Sequence, residues 1–163
     1  MGEREKVLQK LEDMGIPYEI EDHPAVYTID EMESLGIGAR GDIVKNLFLR
    51  DAKGKRHFLV LLLQDKQADL KSIRAQLGTS ALSFASEDRL LRCMNLTKGA
   101  VSPLGVLNDV EQAVEVVFDK DLADRERLGV HPNDNTATVW ISFTKLKELI
   151  ERNGNAVNFI EVP

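Results

Sequence analysis

The sequence lacks several features that would assign it to a familiar class of protein. Cys93 is its only cysteine, which excludes an internal disulfide and a multi-cysteine zinc site. The longest apolar run, residues 58–63, has the length of a strand and not the ~20 residues of a membrane span. The N-terminal stretch MGEREKVLQK is too charged for a secretory signal peptide, and Lys6 breaks the N-myristoylation pattern. We therefore expect a soluble, cytoplasmic protein.

Positive charge is also scarce. The chain has 21 Lys and Arg residues against 27 Asp and Glu, a formal net charge of −6. This balance argues against a protein that coats nucleic acid along its phosphates, but not against one that grips only its tip. The sequence has no Walker loop, dinucleotide fingerprint or G-x-S-x-G elbow, and its histidines lack metal-ligand spacing. We expect neither a metal nor a cofactor.

The composition is that of an ordinary globular chain, with 43% hydrophobic and 29% charged residues among 163. Helical and strand patterns alternate without a repeat or a linker. They predict one α/β domain over residues 1–163, with a mixed, largely antiparallel sheet flanked by helices. Helices are expected near residues 7–14, 28–35, 68–78, 86–95 and 144–154, and strands near residues 43–51, 56–64, 82–86, 114–122, 136–143 and 158–162.

The strand DIVKNLFLRD, residues 42–51, carries two polar residues in its apolar centre. In a regular strand Lys45 shares a face with Ile43 and Leu47, and Asn46 points to the opposite face. Lys45 could snorkel from a sheet edge, with Asn46 bonded to nearby backbone. Alternatively, Lys45 lines a pocket, where a buried ammonium needs an anionic or polar partner. The spacing alone does not separate the two interpretations.

Two loops are further candidates for a site. In GAVSP, residues 99–103, glycine allows close approach of a ligand and exposed N–H groups could bind an anion or an oxyanion. In VHPNDNT, residues 130–136, His131 and Asp134 could act in acid–base chemistry. Each loop taken alone is better explained as a connection or a turn. Cys93 lies on an amphipathic helix without an activating histidine nearby, so we expect a half-buried thiol and not a nucleophile.

These motifs occur together in one family. HPAVYT near the start, VKNLFL on a strand, GAVSP as a G-x-x-x-P loop and the late GVHPNDNTAT loop resemble the prolyl-tRNA editing (YbaK-like, prolyl-tRNA synthetase-associated) superfamily. The resemblance covers about residues 6–162 and is greatest to free-standing deacylases that clear alanine from proline tRNA. It implies a YbaK-like fold and hydrolysis of the ester between a wrong amino acid and the tRNA 3′ end, without a metal or a cysteine.

The resemblance also implies roles for individual residues. Lys45 would meet the phosphate or ribose oxygens of the acceptor end, and the backbone N–H groups of residues 99–103 would hold the ester carbonyl. The water would be positioned by the 2′-hydroxyl of the substrate, with His131 shaping the pocket. The implied catalytic residues are Lys45, Gly99, Ser102 and His131, and the implied substrate-binding residues are Asn46, Ala100, Val101, Pro103, Tyr27 and Thr28.

The same motifs are compatible with other substrates and other roles. The substrate could be cysteinyl-tRNA(Pro) in place of alanyl-tRNA(Pro), or the chain could be a non-catalytic module that binds the tRNA acceptor end. A further alternative is an interaction domain with a vestigial pocket. The expected partner is mischarged proline tRNA, with prolyl-tRNA synthetase or an elongation factor as candidate further partners and no membrane.

Overall fold

A computed structural model describes residues 2–26 and 28–163. Over these ranges helices and strands are interleaved along the chain. The helices are α1 (Glu3–Asp13), α2 (Ile29–Ser34), α3 (Leu70–Leu77), α4 (Glu87–Met94) and α5 (Phe143–Asn153). The strands are β1 (Glu19–Asp22), β2 (Asp42–Arg50), β3 (His57–Leu63), β4 (Ser83–Phe84), β5 (Val114–Asp119), β6 (Leu128–Val130), β7 (Ala137–Ile141) and β8 (Val157–Ile160).

The strands form one mixed sheet in the order β1-β7-β6-β2-β3-β5-β8, with β4 paired to the far end of β2. Four of the seven pairings are antiparallel, among them the β2–β3 hairpin, and three are parallel. The predicted fold class, an α/β fold with a mixed sheet and flanking helices, is confirmed. The last predicted strand is β8, which ends the sheet order and is an edge strand.

The sheet is covered on both faces, which explains why its central strands are apolar throughout. Along β3, Leu59 and Leu61 pack into a cluster that includes residues of α1, α4 and α5. The alternate residues Val60 and Leu62 pack into a second cluster with Ile73 of α3. All four leucine and valine side chains are fully buried, and each contributes about 1.5–3 kcal/mol through the hydrophobic effect.

The sequence signals at the helix ends correspond to the observed ends. Thr28 is the N-cap of α2 and accepts a hydrogen bond from the Glu31 amide, the first of the two hydrogen bonds of a capping box. Ser86 caps α4 in the same way. Gly78 and Gly154 follow α3 and α5 with positive φ angles, the conformation that glycine adopts without steric cost.

Three sequence predictions need correction. No strand is predicted over residues 128–130, yet Leu128–Val130 forms β6, which lies between β2 and β7. The strand predicted to reach Leu122 ends at Asp119, where a 3₁₀ turn begins. The strand predicted to reach Phe143 ends at Ile141, because Ser142 caps α5 and Phe143 is already helical.

The sheet opens beside the middle of β2. β2 pairs with β6 only through Asp42 and Ile43, and β4 joins the same edge only at Leu49 and Arg50. In the described part of the chain, residues 44–48 have no strand neighbour on that edge, while β3 covers their other edge. This gap places the polar residues of β2 at an opening.

A membrane-spanning helix is not found in the described ranges, where every helix is too short or too polar to cross a bilayer.

Candidate active site

A cavity of about 220 Å³ occupies the gap beside β2. Its walls come from α2 and the segment before it, from β2 and the end of β3, from the loop at Gly99, and from β6 and β7. This volume is below the ~300–1,000 Å³ of common ligand pockets, so the cavity suits a small chemical group. The described lining residues are Val26, Thr28, Met32, Ile43, Val44, Lys45, Asn46, Gln64, Lys98, Gly99, Val101, Gly129, Val130, His131 and Thr138.

Lys45 lies in the cavity wall and is half-buried. Its ammonium donates a hydrogen bond to the backbone carbonyl of Lys66, with 2.7 Å between Nζ and O. This partner is neutral, so the positive charge of Lys45 is not cancelled by the contact. An ammonium has three N–H donors, and a ligand in the cavity can use those that the Lys66 carbonyl does not.

Asn46 lines the same cavity, although successive residues of a strand point to opposite faces. The pairing of β2 with β3 is continuous from Val44 to Arg50, so no bulge turns Asn46 toward Lys45. Both side chains reach the cavity because it lies at the open edge of β2. The Asn46 amide nitrogen donates to the Val44 carbonyl at 3.3 Å. Its buried Oδ1 has no hydrogen-bond partner among the described residues.

The GAVSP loop contributes two of its five residues to the cavity wall, Gly99 and Val101. Ala100, Ser102 and Pro103 are buried and are not among the described lining residues. The Ser102 hydroxyl donates to the backbone carbonyl of His131 and accepts from the amide of Leu104, as N-cap of a 3₁₀ helix. Ser102 thus joins the loop to the His131 segment, and its predicted catalytic role stays a prediction.

The surroundings of His131 favour its neutral form. Its Nδ1 lies 3.0 Å from the Ala137 carbonyl, which can only accept, so Nδ1 carries a proton; in the neutral ring Nε2 then has the lone pair. Burial lowers the pKa of His131 below its usual 6.5, and the neighbouring His23 ring lowers it further. The Ala137 hydrogen bond and Asp134 act in the opposite direction without reversing the shift.

Three polar residues that the sequence reasoning did not assign belong to this region. His23 contacts the Thr138 hydroxyl through Nε2 at 2.9 Å, and Thr138 is buried in the cavity wall. Gln64 directly follows β3 and lines the cavity, and its buried Oε1 has no hydrogen-bond partner among the described residues. A signal existed for Gln64, the first polar residue after the run FLVLLL. The His23–Thr138 contact spans 115 residues and has no local signal.

Two of the predicted substrate-binding residues, Tyr27 and Thr28, directly precede α2. Thr28 lines the cavity as well as capping α2. Tyr27 lies outside the described residues.

The cavity wall is basic in an acidic protein. The described lining residues include Lys45 and Lys98 and no Asp or Glu, whereas the chain has a formal net charge of −6. A cleft lined by charges of one sign attracts ligands of the opposite sign. The site is therefore suited to a small group attached to an anion.

This arrangement of sheet, gap and loops corresponds to a known class of protein. The family model described as "Aminoacyl-tRNA editing domain" matches residues 23–149, more than half of the chain. The chain belongs to this family, and so to the hydrolases that deacylate aminoacyl-tRNA.

Comparison with individual proteins shows which members of this family the chain is similar to. The chain is 51% identical over 162 residues to the prolyl-tRNA editing protein ProX of Acetoanaerobium sticklandii, covering 99% of both chains. It is 34% identical over 143 residues to prolyl-tRNA synthetase associated domain-containing protein 1 of Mus musculus, covering 85% of this chain and 84% of that one. A crystal structure described as a candidate trans-editing enzyme for prolyl tRNA synthetase has a TM-score of 0.74 at 21% identity, covering 99% and 97% of the two chains. The structural similarity shows the same fold.

Proposed function

We propose that this chain hydrolyses the ester bond of alanyl-tRNA(Pro) in trans and spares prolyl-tRNA(Pro). The observation that carries the proposal is the small cavity of about 220 Å³ with two lysines and no carboxylate among its described lining residues. A small amino acid fits such a space, and the lysines favour the phosphodiester chain to which it is attached. The similarity to the prolyl-tRNA editing protein ProX supports proline tRNA as the carrier.

In this proposal Lys45 binds the phosphate or ribose oxygens of the terminal nucleotide. Its ammonium is oriented by the Lys66 carbonyl and lies in the cavity wall. Hydrogen bonds between a charged donor and an oxygen are about twice as strong as neutral ones. Asn46 would add a second polar contact through its Oδ1, which has no partner among the described residues.

The loop at Gly99 is proposed to stabilise the developing oxyanion. Gly99 places backbone without a side chain at the cavity wall, and N–H groups aimed at a forming oxyanion lower the barrier in acyl transfer. Removing one such donor in other enzymes lowers kcat by about 10²–10³-fold. Ser102 would hold this loop against the His131 segment through its two hydrogen bonds.

The attacking water is proposed to be positioned by the 2′-hydroxyl of the terminal ribose, as family analogy implies. His131 would shape the pocket or orient a polar group of the substrate, since its Nδ1 donates to the Ala137 carbonyl and burial lowers its pKa. A neutral Nε2 in the wall can accept a hydrogen bond from the substrate or from water. Prolyl-tRNA synthetase or an elongation factor as a further partner, and a cytoplasmic location, stay predictions.

Size exclusion is the proposed source of selectivity. Proline is larger than alanine, and a small pocket can reject it by steric clash while accepting the smaller error. Cysteine is also small, and the size of the cavity keeps cysteinyl-tRNA(Pro) as the second candidate substrate. One additional methylene in a tolerant pocket changes binding by only ~1–3 kcal/mol, so rejection must come from a rigid wall.

A panel of charged tRNAs tests the proposal. Initial deacylation rates are measured for alanyl-, cysteinyl- and prolyl-tRNA(Pro) at equal enzyme, with alanyl-tRNA(Ala) as the control for tRNA identity. The expected order is alanyl ahead of cysteinyl, with prolyl-tRNA(Pro) unchanged. Faster hydrolysis of the prolyl ester would contradict an editing role. A preference for the cysteinyl ester would promote the second candidate, and binding without hydrolysis of any ester would indicate a non-catalytic module.

A further inference from the structure

The Lys45 ammonium is held by the backbone of a turn. Its hydrogen bond goes to the Lys66 carbonyl at 2.7 Å. This carbonyl belongs to the turn after β3, which is closed by a bond from the Lys66 amide to the Leu63 carbonyl at 3.1 Å. Turns at the surface are more mobile than the strands they follow unless other contacts hold them. The place of Nζ in the cavity therefore depends on what anchors this turn.

The anchor is the side chain of Lys66 itself. Its Nζ lies 2.6 Å from Asp119 Oδ2, 2.5 Å from Asp121 Oδ2 and 2.6 Å from the Val162 carbonyl oxygen. The three N–H donors of the ammonium are thus all used. We call this set of contacts the Lys66 anchor.

The Lys66 anchor is largely removed from water. The Lys66 side chain is 13% exposed and the Asp119 side chain 1%. Charge pairs in such an environment are screened much less than pairs on the surface. Asp119 also accepts from the Val162 amide through Oδ1, at 3.2 Å. The turn, the end of β5 and the Val162 segment are in this way fixed to one another.

β5 gives the anchor a rigid base. It is a central strand, hydrogen-bonded to β3 on one side and β8 on the other, and Asp119 is its last residue. Lys66 itself is not among the described residues that line the cavity. It contacts the site only through its backbone carbonyl.

We propose that Lys66 is a positioning residue, whose ion-paired side chain fixes the carbonyl that sets the place of the Lys45 ammonium in the cavity. The catalytic consequence rests on the proposed function, because it requires Lys45 to act in deacylation. The geometric claim does not require this and can be measured separately.

The experiment compares Lys66→Met, which keeps the apolar stem and removes the charge, with Lys66→Arg, which keeps the charge. Lys120→Met is the matched control, because Lys120 is also paired with a carboxylate, Glu161, but lies at the surface. The first readout is a short pulse with an amine-selective N-hydroxysuccinimide ester, with Lys45 modification measured by mass spectrometry relative to the exposed Lys10. The second readout is single-turnover deacylation over a range of enzyme concentrations.

Loss of the anchor should free the Lys45 amine and raise its relative labelling by about tenfold, the effect expected when a charged group loses a hydrogen bond. The deacylation rate at subsaturating enzyme should fall by a similar factor, because the displaced ammonium no longer meets the terminal nucleotide that Lys45 is proposed to bind. Lys66→Arg should restore most of both signals, and Lys120→Met should leave both unchanged. Wild-type labelling of Lys45 in folded Lys66→Met overturns the proposal.

A second variant covers the case in which Lys66→Met does not fold. The Asp121 side chain is 61% exposed, so Asp121→Ala removes one partner of Lys66 without opening the core. An intermediate rise in Lys45 labelling supports the proposal, and an unchanged value contradicts it. If the wild-type chain deacylates none of the tested esters, the proposed function fails while the labelling result still decides the role of Lys66.

Discussion

Lys45 and Asn46 are adjacent polar residues of one strand, and each has a backbone carbonyl as its partner. Lys45 donates to Lys66, and Asn46 donates to Val44. Neither contact neutralises a charge or uses the Asn46 oxygen. The interpretation of Lys45 as a pocket residue is therefore favoured over that of a lysine that only snorkels from a sheet edge. The two polar residues in the centre of this apolar strand thus lie at a cavity.

Lys45→Ala should lower the deacylation rate by about 10²-fold, the scale on which loss of one transition-state contact acts. The free energy of unfolding should change by only about 1 kcal/mol, because the lost contact is a single hydrogen bond to a neutral carbonyl. Rates and urea unfolding curves are compared with those of Lys53→Ala, which removes an exposed lysine from the hairpin loop. A folded Lys45→Ala protein with normal turnover would refute the proposed role of Lys45.

His131 should make the protein less stable in mild acid. Burial lowers its pKa below 6.5 in the folded state, so around and below this pH the unfolded chain binds more protons. Above pH 6.5, neutral His131 makes its full contribution to the free energy of unfolding. This contribution is lost as the pH falls from 6.5 through the folded-state pKa. Each such group adds at most about 1.4 kcal/mol per pH unit to the slope.

The measurement is the free energy of unfolding in urea between pH 7 and pH 5, for the wild type and His131→Gln. The variant should show a shallower fall. A residual slope is expected from His57, whose pKa is also lowered, by burial and by the charge of Arg89. Identical slopes in the two proteins would mean that His131 titrates normally in the folded state.

At the scale of elements, the gap beside β2 forms the cavity of the candidate site. β6 pairs with β2 over two residues and then diverges, and the loop containing Gly99 closes the space between them. The hairpin of β2 and β3 could be predicted from sequence because its signals are local. β6 could not, since LGV has three residues without alternation and is a strand only through its neighbours. The His23–Thr138 contact was missed for the same reason, because it depends on the long-range pairing of β1 with β7.

The two glycines of the segment after α4 should respond differently to substitution. Gly99 lines the cavity, so Gly99→Val should reduce deacylation strongly and leave the melting temperature nearly unchanged. A Cβ at Gly105 would lie 2.5 Å from Leu96 Cδ1 and 3.2 Å from the side chain of Met94. Gly105→Val should therefore cost about 1–3 kcal/mol of stability through overpacking.

Thermal unfolding and single-turnover rates of both variants check this contrast. Full activity in Gly99→Val would show that the loop does not hold the ester carbonyl. A stable Gly105→Val protein would show that the packing around Leu96 can yield.

At the scale of the whole molecule, the acidic balance of the chain limits how it can hold tRNA. Lys98 lies in the cavity wall, and Arg40 is exposed close to the start of β2. Among the described lining residues the only other Lys or Arg is Lys45. This distribution fits a protein that grips the acceptor end and leaves the body of the tRNA in solvent. The interpretation of residues 1–163 as a single editing domain stays a prediction.

Binding to tRNA should accordingly depend only modestly on salt. Each neutralised phosphate adds about 0.7–0.9 to the slope of log affinity against log salt, and we expect a slope of a few units. Lys98→Ala should reduce this slope by about one. Affinity is measured by filter binding from low to moderate salt, with Lys147→Ala as a surface control that pairs with Glu151 on α5. A slope near ten would require a large basic face.

The cavity is assembled from segments that are far apart in the chain. His23 and Thr138 are separated by 115 residues, and β1 finds its partner only in β7. Contacts this distant are slow to form, because a long loop must close before they contribute, and folding then takes roughly milliseconds to seconds. The β2–β3 hairpin, joined by a short turn, can form early. During synthesis on the ribosome, a chain that has emerged as far as β5 carries Lys45 but not the β6–β7 side of the cavity. The newly made chain therefore completes the cavity only after Ala137–Ile141 has emerged and can pair with β1 and β6.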